Sequence, residues 1–245
     1  MKRKLQYLPF VVMMAIMSCA TTSIAQQPCR LSKIIFPEGS IYHFQYDTQN
    51  RLQTITVPAD KYVDSFFYYH DSVVIITFIN KLPDSRTVYT FNKNGLVAHK
   101  KKEAYQYYGW REEIDYEYKN DQLIQIKQTG RLQSEPPSKA KATTEIYTWK
   151  RGNLVKIQHF ENGKYFGNEN LQYYTEKPFR TGDYQSYEQI MTGLSTLKPA
   201  NLLKAIIGPE ILKLSYEWDE NGNIISMTEE EENDIRVTKY EYECK

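Results

Sequence analysis

Residues 42–52 are Tyr-His-Phe-Gln-Tyr-Asp-Thr-Gln-Asn-Arg-Leu, and they hold the pattern on which the fold depends. Tyr42, Phe44 and Tyr46 are spaced by two, so their rings lie on one face of a β-strand while the residues between them are polar. A short polar turn and the aliphatic Leu52 follow. The pattern predicts a strand with one aromatic face and one hydrated face that ends in a hairpin turn.

This aromatic, polar, aromatic triplet occurs six times along the chain. The ring pairs are Tyr42/Phe44, Tyr89/Phe91, Tyr116/Tyr118, Tyr147/Trp149, Tyr216/Trp218 and Tyr240/Tyr242. After five of them comes a polar turn and then an aliphatic residue, namely Leu52, Leu96, Leu123, Leu154 and Ile224. The next core position follows three residues later, which indicates either a β-bulge or a strand covered on both faces. The pattern predicts a mainly β fold, a large antiparallel meander of on the order of fourteen strands in consecutive hairpins, curled or closed into a shell.

The composition agrees with an aromatic-rich β-protein. The 245 residues include 21 Tyr, 10 Phe and 3 Trp, and such side chains favour strands over helices. Lys and Arg number 31 against 30 Asp and Glu, a balance that argues against a nucleic-acid partner.

One region, 184–207, departs from the strand pattern. Its first apolar residues have helical spacing and are Tyr184, Tyr187, Ile190, Met191, Leu194 and Leu197. After Pro199, a second short helix is predicted from Leu202, Leu203, Ile206 and Ile207. We expect this helical insertion to cover the concave side or an open end of the sheet as a plug or lid.

The N-terminal segment, 1–25, has the basic, apolar and small polar parts of a bacterial secretory signal. Cleavage at its end would release 26–245 as the mature chain. The residues before Cys19 also resemble a lipoprotein box, in which case 1–18 is removed and Cys19 is acylated. Both routes predict an exported protein in the periplasm, at the outer membrane or in the medium, with membrane contact only through that lipid.

Cys29 and Cys244 remain as an even pair once Cys19 is discarded or acylated. An oxidising compartment favours a disulfide between them, and in the chain-entropy model such a long closed loop stabilises by roughly 4 to 5 kcal/mol. Two free thiols too far apart to bridge are the alternative.

The sequence Tyr46-Asp47 followed by Asn50-Arg51-Leu52 is similar to the YD repeat of RHS-type secreted β-shell proteins. A second partial match runs from Trp218-Asp219 to Ile224, whereas the Asp is replaced in the other copies, by Asn92, Lys119 and Lys150. With its signal, length and late helical insertion, the whole chain resembles an uncharacterised family of secreted Bacteroidetes proteins with a porin-like fold. The resemblance implies a single β-repeat domain over 26–245 and carries no known catalytic residues.

Candidate ligand-binding side chains occur where basic and aromatic residues interleave, after Lys100-Lys101-Lys102. They are Tyr105, Tyr107, Tyr108 and Trp110, and in an exported protein stacking on a glycan is the binding mode that suits them. Packing of these rings in the core or across strands is the alternative. The four histidines lack zinc-site spacing, so we predict no catalytic residue, metal or cofactor.

Three functions remain open at this level. The favoured one is a secreted or lipid-anchored envelope protein that binds a ligand or partner, such as a polysaccharide or an envelope protein, without catalysis. The second is an envelope hydrolase with carboxylates inside the shell. The third is an integral outer-membrane barrel, which is opposed by charged residues within the strands, for example Glu113, Asp115 and Glu117.

Overall fold

The computed structural model describes residues 29–105, 109–232 and 234–244. Within them, sixteen β-strands pair with their sequence neighbours, and β1 pairs with β16 to close a barrel. Every pair of neighbours is antiparallel, so the predicted antiparallel meander is confirmed. Of the two predicted forms, curled or closed, the sheet takes the closed one, with two strands more than the fourteen expected. The strands are β1 (Cys29–Ile35), β2 (Ile41–Tyr46), β3 (Leu52–Val57), β4 (Tyr62–Tyr68), β5 (Ser72–Ile79), β6 (Leu82–Phe91), β7 (Val97–Ala104), β8 (Trp110–Lys119), β9 (Gln122–Leu132), β10 (Lys141–Lys150), β11 (Asn153–Glu161), β12 (Lys164–Pro178), β13 (Asn201–Ile207), β14 (Ile211–Trp218), β15 (Ile224–Glu231) and β16 (Asp234–Cys244).

The barrel has two ends, which we name by the disulfide between Cys29 and Cys244. The disulfide end holds the turns that follow the aromatic triplets, and the far end holds the alternate connections. The helical part of the chain lies between β12 and β13, where a 3-10 turn (Tyr184–Ser186) leads into helix α1 (Tyr187–Thr192). In the described part of the chain, no helix is both long and apolar enough to cross a bilayer.

The first ring of most triplets is buried inside the barrel, as the period of two predicts. Tyr89, Tyr116, Tyr147, Tyr216 and Tyr240 belong to one hydrophobic cluster, and the second ring of each of these pairs packs against it. In the Tyr42/Phe44 pair the order is reversed: Phe44 belongs to the cluster, and Tyr42 and Tyr46 pack against it. The offset of three comes from β-bulges, because the strand register shifts next to Tyr46, Phe91, Tyr118, Trp149 and Trp218. In one hairpin the core position is Val97, which pairs with Phe91, and not the expected Leu96.

The turns at the disulfide end are of two kinds, and the residue after the triplet decides which one forms. Asp47 accepts hydrogen bonds from the backbone N–H groups of Gln49 and Arg51, and Asn92 and Asp219 cap their own turns in the same way. Where a lysine follows the triplet, the loop shortens to two residues with positive φ, Asn120-Asp121 or Arg151-Gly152. The lysines at 119 and 150, which depart from the YD pattern, therefore encode a different turn, whereas Asn92 keeps the capped one.

The prediction of a second short helix at 202–207 is wrong, because these residues form β13. Leu202 and Leu203 are both fully buried although neighbouring strand residues point to opposite faces. A short apolar run of this kind has no helical period of its own, and pairing with β12 and β14 makes it a strand.

Candidate functional site

Residues 179–200, which connect β12 to β13 and which we call the inner segment, lie across the interior of the barrel at the disulfide end. A Cβ at Gly193 would lie 3.5 Å from the Tyr68 hydroxyl of β4, and one at Gly182 would lie 3.0 Å from Ile224 of β15. Glu188 of the same segment accepts a hydrogen bond from Tyr116 of β8. Because β4, β8 and β15 belong to different sides of the barrel, a segment that contacts all three is enclosed by them.

Asp183 fixes the start of the inner segment to the wall. One carboxylate oxygen accepts from the backbone N–H of Gln185 at 2.8 Å, and the other accepts from the N–H of Leu203 at 2.8 Å and the hydroxyl of Tyr216 at 3.0 Å. Burial raises the pKa of Asp183 to about 6. No sequence motif marks this residue, since a lone acid in a connecting segment has no periodic partner.

Glu188 fixes the middle of the inner segment. Its carboxylate accepts from the Tyr116 hydroxyl at 3.3 Å and from Thr196 Oγ1 at 2.8 Å. Burial, with the Glu188 charge second, raises the pKa of Tyr116. Tyr116 is therefore a protonated donor that ties the segment to β8.

The predicted disulfide joins Cys29 to Cys244, which are direct partners in the β1–β16 register, with their Cα atoms 4.0 Å apart. It therefore ties the seam of the barrel at the outermost position of the first and last strands. Cys19 and the two processing sites of the predicted signal lie outside the described residues.

A cavity of about 670 Å³ opens beside the disulfide, between the inner segment and the hairpin turns. Its volume falls within the range of about 300–1,000 Å³ typical of small-molecule sites. Three arginines and three tyrosines are among the residues that line it, namely Arg30, Arg51, Arg180, Tyr46, Tyr68 and Tyr242. We call it the disulfide-end cavity, and the sequence patterns did not predict it.

The tyrosines of this cavity are held by hydrogen bonds to the backbone. Tyr46 donates to the Leu31 carbonyl and Tyr68 to the Leu52 carbonyl, each at 2.8 Å. Burial raises the pKa of Tyr46 to about 12, so the phenol stays protonated and keeps donating. The rings are therefore fixed in place.

Guanidinium groups lie over two of these rings. Arg30 is 5.1 Å from the centroid of Tyr46, and Arg51 is 4.4 Å from that of Tyr68. Arg51 is also held by Asp47 at 2.7 Å, so the capped turn positions its side chain. Cation–π contacts of this kind add roughly 0.5–1 kcal/mol each where they are exposed to water.

The interior toward the far end is lined by charged side chains. His159 lies between two carboxylates, with Nδ1 3.4 Å from Glu145 and Nε2 3.6 Å from Glu169. Tyr147 donates to Glu145. Farther along the same wall, Lys100 of β7 and Glu112 of β8 form an ion pair at 2.9 Å.

Arg236 completes this charged lining next to the seam. Its guanidinium lies 3.1 Å from Glu231, 3.2 Å from Asp234 and 3.7 Å from Glu229. The carboxylates named here thus each face a cation or histidine. Among the residues that the structure describes, no group of three or more His, Cys, Asp or Glu is arranged to hold a metal ion.

The four aromatic residues predicted to bind a ligand lie at the far end, and two of them can be described. Tyr105 is 53% exposed and Trp110 is 40% exposed. The indole of Trp110 packs on Gly130 so closely that a Cβ there would overlap it, which is cross-strand packing. Tyr107 and Tyr108 lie outside the described residues.

The outer face of the barrel carries ion pairs between neighbouring strands. Lys33 of β1 contacts Glu241 of β16 at 2.8 Å, and Lys213 of β14 contacts Glu230 of β15 at 2.9 Å. Within each pair the two residues are direct partners in the strand register, and these residues alternate along their strands with buried residues. The wall is therefore apolar and aromatic on its inner side near the disulfide, and its outer face carries interstrand ion pairs beside exposed apolar residues such as Phe67 and Ile235.

Comparison with known proteins identifies the fold. No protein-family model matches the sequence, and no curated protein matches it. A solved porin-like protein from Bacteroides vulgatus aligns with a TM-score of 0.63 at 14% identity, covering 87% of this chain and 98% of that chain. A porin-like protein from Bacteroides uniformis gives a TM-score of 0.59 at 16% identity, covering 89% and 98%.

A third structure, TcdB2-TccC3, aligns with a TM-score of only 0.35 at 16% identity, covering 83% of this chain and 14% of that one, and it carries no argument. The first two alignments span almost the whole of each neighbour, 98% of each chain. The chain thus has the porin-like β-barrel fold of these two Bacteroides proteins.

Proposed function

We propose that the protein is an exported, non-enzymatic envelope protein that binds a ligand in the disulfide-end cavity. The observation that carries the proposal is the cavity itself, about 670 Å³, walled by arginine and tyrosine side chains that the turns and backbone carbonyls hold in place. Fixed polar and aromatic groups in a concave site are what ligand recognition requires. The N-terminal signal pattern and the disulfide support the exported location.

A water-surrounded barrel is part of this proposal. An integral outer-membrane barrel turns an apolar band toward lipid, and charged residues on that face are destabilising. The outer face here carries the pairs Lys33–Glu241 and Lys213–Glu230. Attachment to a membrane would then depend on acylation of Cys19 and not on the strands.

The relation to YD repeats belongs to the same proposal. Tyr46-Asp47 and Trp218-Asp219 each place a ring against the core and a carboxylate in the following turn. This is the arrangement that a repeated hairpin unit needs, because each unit buries its aromatic face only against its neighbours.

A hydrolase is the second candidate, favoured by His159 between Glu145 and Glu169 inside the barrel. Glycoside hydrolysis uses two carboxylates on either side of the scissile bond. We rank it second because Tyr147 already donates to Glu145 and the histidine contacts both carboxylates. Loss of a glycosidase activity on Glu145→Gln, with Glu161→Gln as control, would place hydrolysis first.

The binding function is tested by filling the disulfide-end cavity with a larger side chain. Gln189, half-buried on α1, lines it, whereas Gln125 of β9 is half-buried on the outer face. The mature protein is screened against envelope and dietary polysaccharides on a glycan array. We expect Gln189→Trp to abolish the strongest signal and Gln125→Trp to leave it unchanged. Equal binding by the two variants, or no binding by the parent protein, would contradict the proposal.

A further inference from the structure

The disulfide-end cavity is lined by cations and by no carboxylate. Arg30, Arg51 and Arg180 contribute side chains to its wall, while Asp and Glu are absent from the residues that line it. Three acids lie outside this lining: Asp47 and Asp219 accept backbone N–H groups in the turns, and Glu243 of β16 lies 3.7 Å from Arg30. The cavity therefore presents positive charge to whatever enters it.

Two of these arginines keep hydrogen-bonding capacity. The Nε of Arg30 is buried without an acceptor, and its terminal nitrogen lies 3.7 Å from Glu243, too far for a hydrogen bond. The guanidinium of Arg180 is exposed and makes no hydrogen bond or ion pair with any other described residue. A buried donor without an acceptor costs free energy, and the guanidinium of Arg180 remains free to donate to an anionic oxygen.

Arg51 contributes charge in a fixed position, since Asp47 and the Tyr68 ring both hold it. Planar guanidinium groups bind carboxylate and sulfate oxygens through paired hydrogen bonds, which gives direction as well as attraction. Arginines at one mouth thus favour an anion over a neutral polar group.

The remaining wall suits hydroxyl groups. Asn50, Gln189 and Asn223 line the same cavity, and side-chain amides both donate and accept. The rings of Tyr46, Tyr68 and Tyr242 add flat apolar surface between these polar groups. Amide, aromatic and guanidinium groups together match a chain of hydroxylated rings that carries acidic substituents.

We propose that the ligand of the disulfide-end cavity is an acidic saccharide, whose carboxylate or sulfate groups pair with Arg30 and Arg180. The inference rests on the proposed binding function and names the ligand class. It predicts that charge on the sugar, and not the sugar scaffold alone, determines affinity.

The test compares saccharides that differ only in charge. Binding of tetragalacturonate, its fully methyl-esterified form and a chondroitin sulfate tetrasaccharide is measured by isothermal titration calorimetry. We expect at least one acidic sugar to bind roughly tenfold or more tightly than the ester, as charge-assisted hydrogen bonds require. The carboxylated and sulfated sugars distinguish the two sources of negative charge.

The matched variants are Arg180→Gln and Arg86→Gln. Each removes one positive charge from an exposed side chain, but Arg86 lies on the outer face of β6. We expect Arg180→Gln to weaken binding about tenfold and Arg86→Gln to change it less than twofold. Equal affinity for acid and ester, or equal effects of the two variants, overturns the inference while the binding function stands. Failure of all three sugars to bind also overturns it, and the Gln189→Trp array result then decides the binding function separately.

Discussion

The ionisation of Asp183 is coupled to folding. Its carboxyl is fully buried and accepts hydrogen bonds from the inner segment, β13 and β14. Burial raises its pKa from the ordinary 3.8 to about 6. Between these two values, the folded protein keeps a proton that the unfolded chain has lost.

We predict that this group favours folding most below about pH 4 and that its contribution is lost as the pH rises to 6. The difference in free energy of unfolding is about 3 kcal/mol. Urea unfolding of the parent protein and Asp183→Asn between pH 4 and 7 measures it. The parent should lose stability relative to the variant up to pH 6 and run parallel to it above. Parallel curves over the whole range would show that Asp183 has an ordinary pKa.

At the scale of single residues, the sequence predicts the roles of those that belong to a repeated motif or to the cysteine pair. Cys29 and Cys244 are predictable because an even pair in an exported protein favours a disulfide. Asp183 and Arg180 are not, because their roles arise only when the inner segment meets distant strands. The aromatic composition of the stretch from Tyr105 to Trp110 predicts ligand binding, yet the indole of Trp110 packs on Gly130.

The turns are the elements in which sequence and structure correspond most directly. Asp or Asn after the aromatic triplet gives a capped five-residue turn with a left-handed fourth residue, such as Asn50, Gly95 or Gly222. Lysine there gives a two-residue turn. The helical prediction succeeded only for α1, since the run at 202–207 had two strand neighbours to pair with.

The turn that contains Gly95 provides a testable prediction at the scale of a structural element. Its φ is +76° and nothing lies within 4 Å of a Cβ built on it, so only backbone strain opposes a side chain. Gly95→Ala should therefore lower the free energy of unfolding by about 1 kcal/mol. The control, Gly167→Ala in β12, also meets nothing within 4 Å but lacks a positive φ, and it should cost nothing. Equal effects in urea unfolding would contradict the role of the turn conformation.

For the whole molecule, the antiparallel meander is predictable because each aromatic triplet must be covered by its neighbours. The sequence leaves open whether the sheet curls or closes, and in the structure closure removes the two exposed edges. The division of the interior into two differently lined halves is not predictable from the sequence. The aromatic half near the disulfide and the charged half near the far end arise from register, which places Glu145 opposite His159 and Glu112 beside Lys100. Those acids and bases are scattered along the sequence.

The Cys29–Cys244 disulfide provides a testable prediction at the scale of the whole molecule. It closes a loop with a sequence separation of 215 residues, so the double change Cys29→Ser and Cys244→Ser should lower the free energy of unfolding by about 5 kcal/mol. The far-UV circular dichroism of the folded protein should not change, because the β1–β16 ladder remains paired. Reductant should reproduce the loss in the parent protein and have no effect on the double variant. An unchanged urea midpoint would contradict this prediction.

The seam also sets an order of events during biosynthesis. Its two strands are the first and last of the described chain, so no nascent fragment that lacks β16 has a closed wall. The inner segment precedes β13 to β16, and it is therefore made before the strands that complete its enclosure. Closure therefore requires β16, and the covalent bond between Cys29 and Cys244 joins the two strands that meet at the seam.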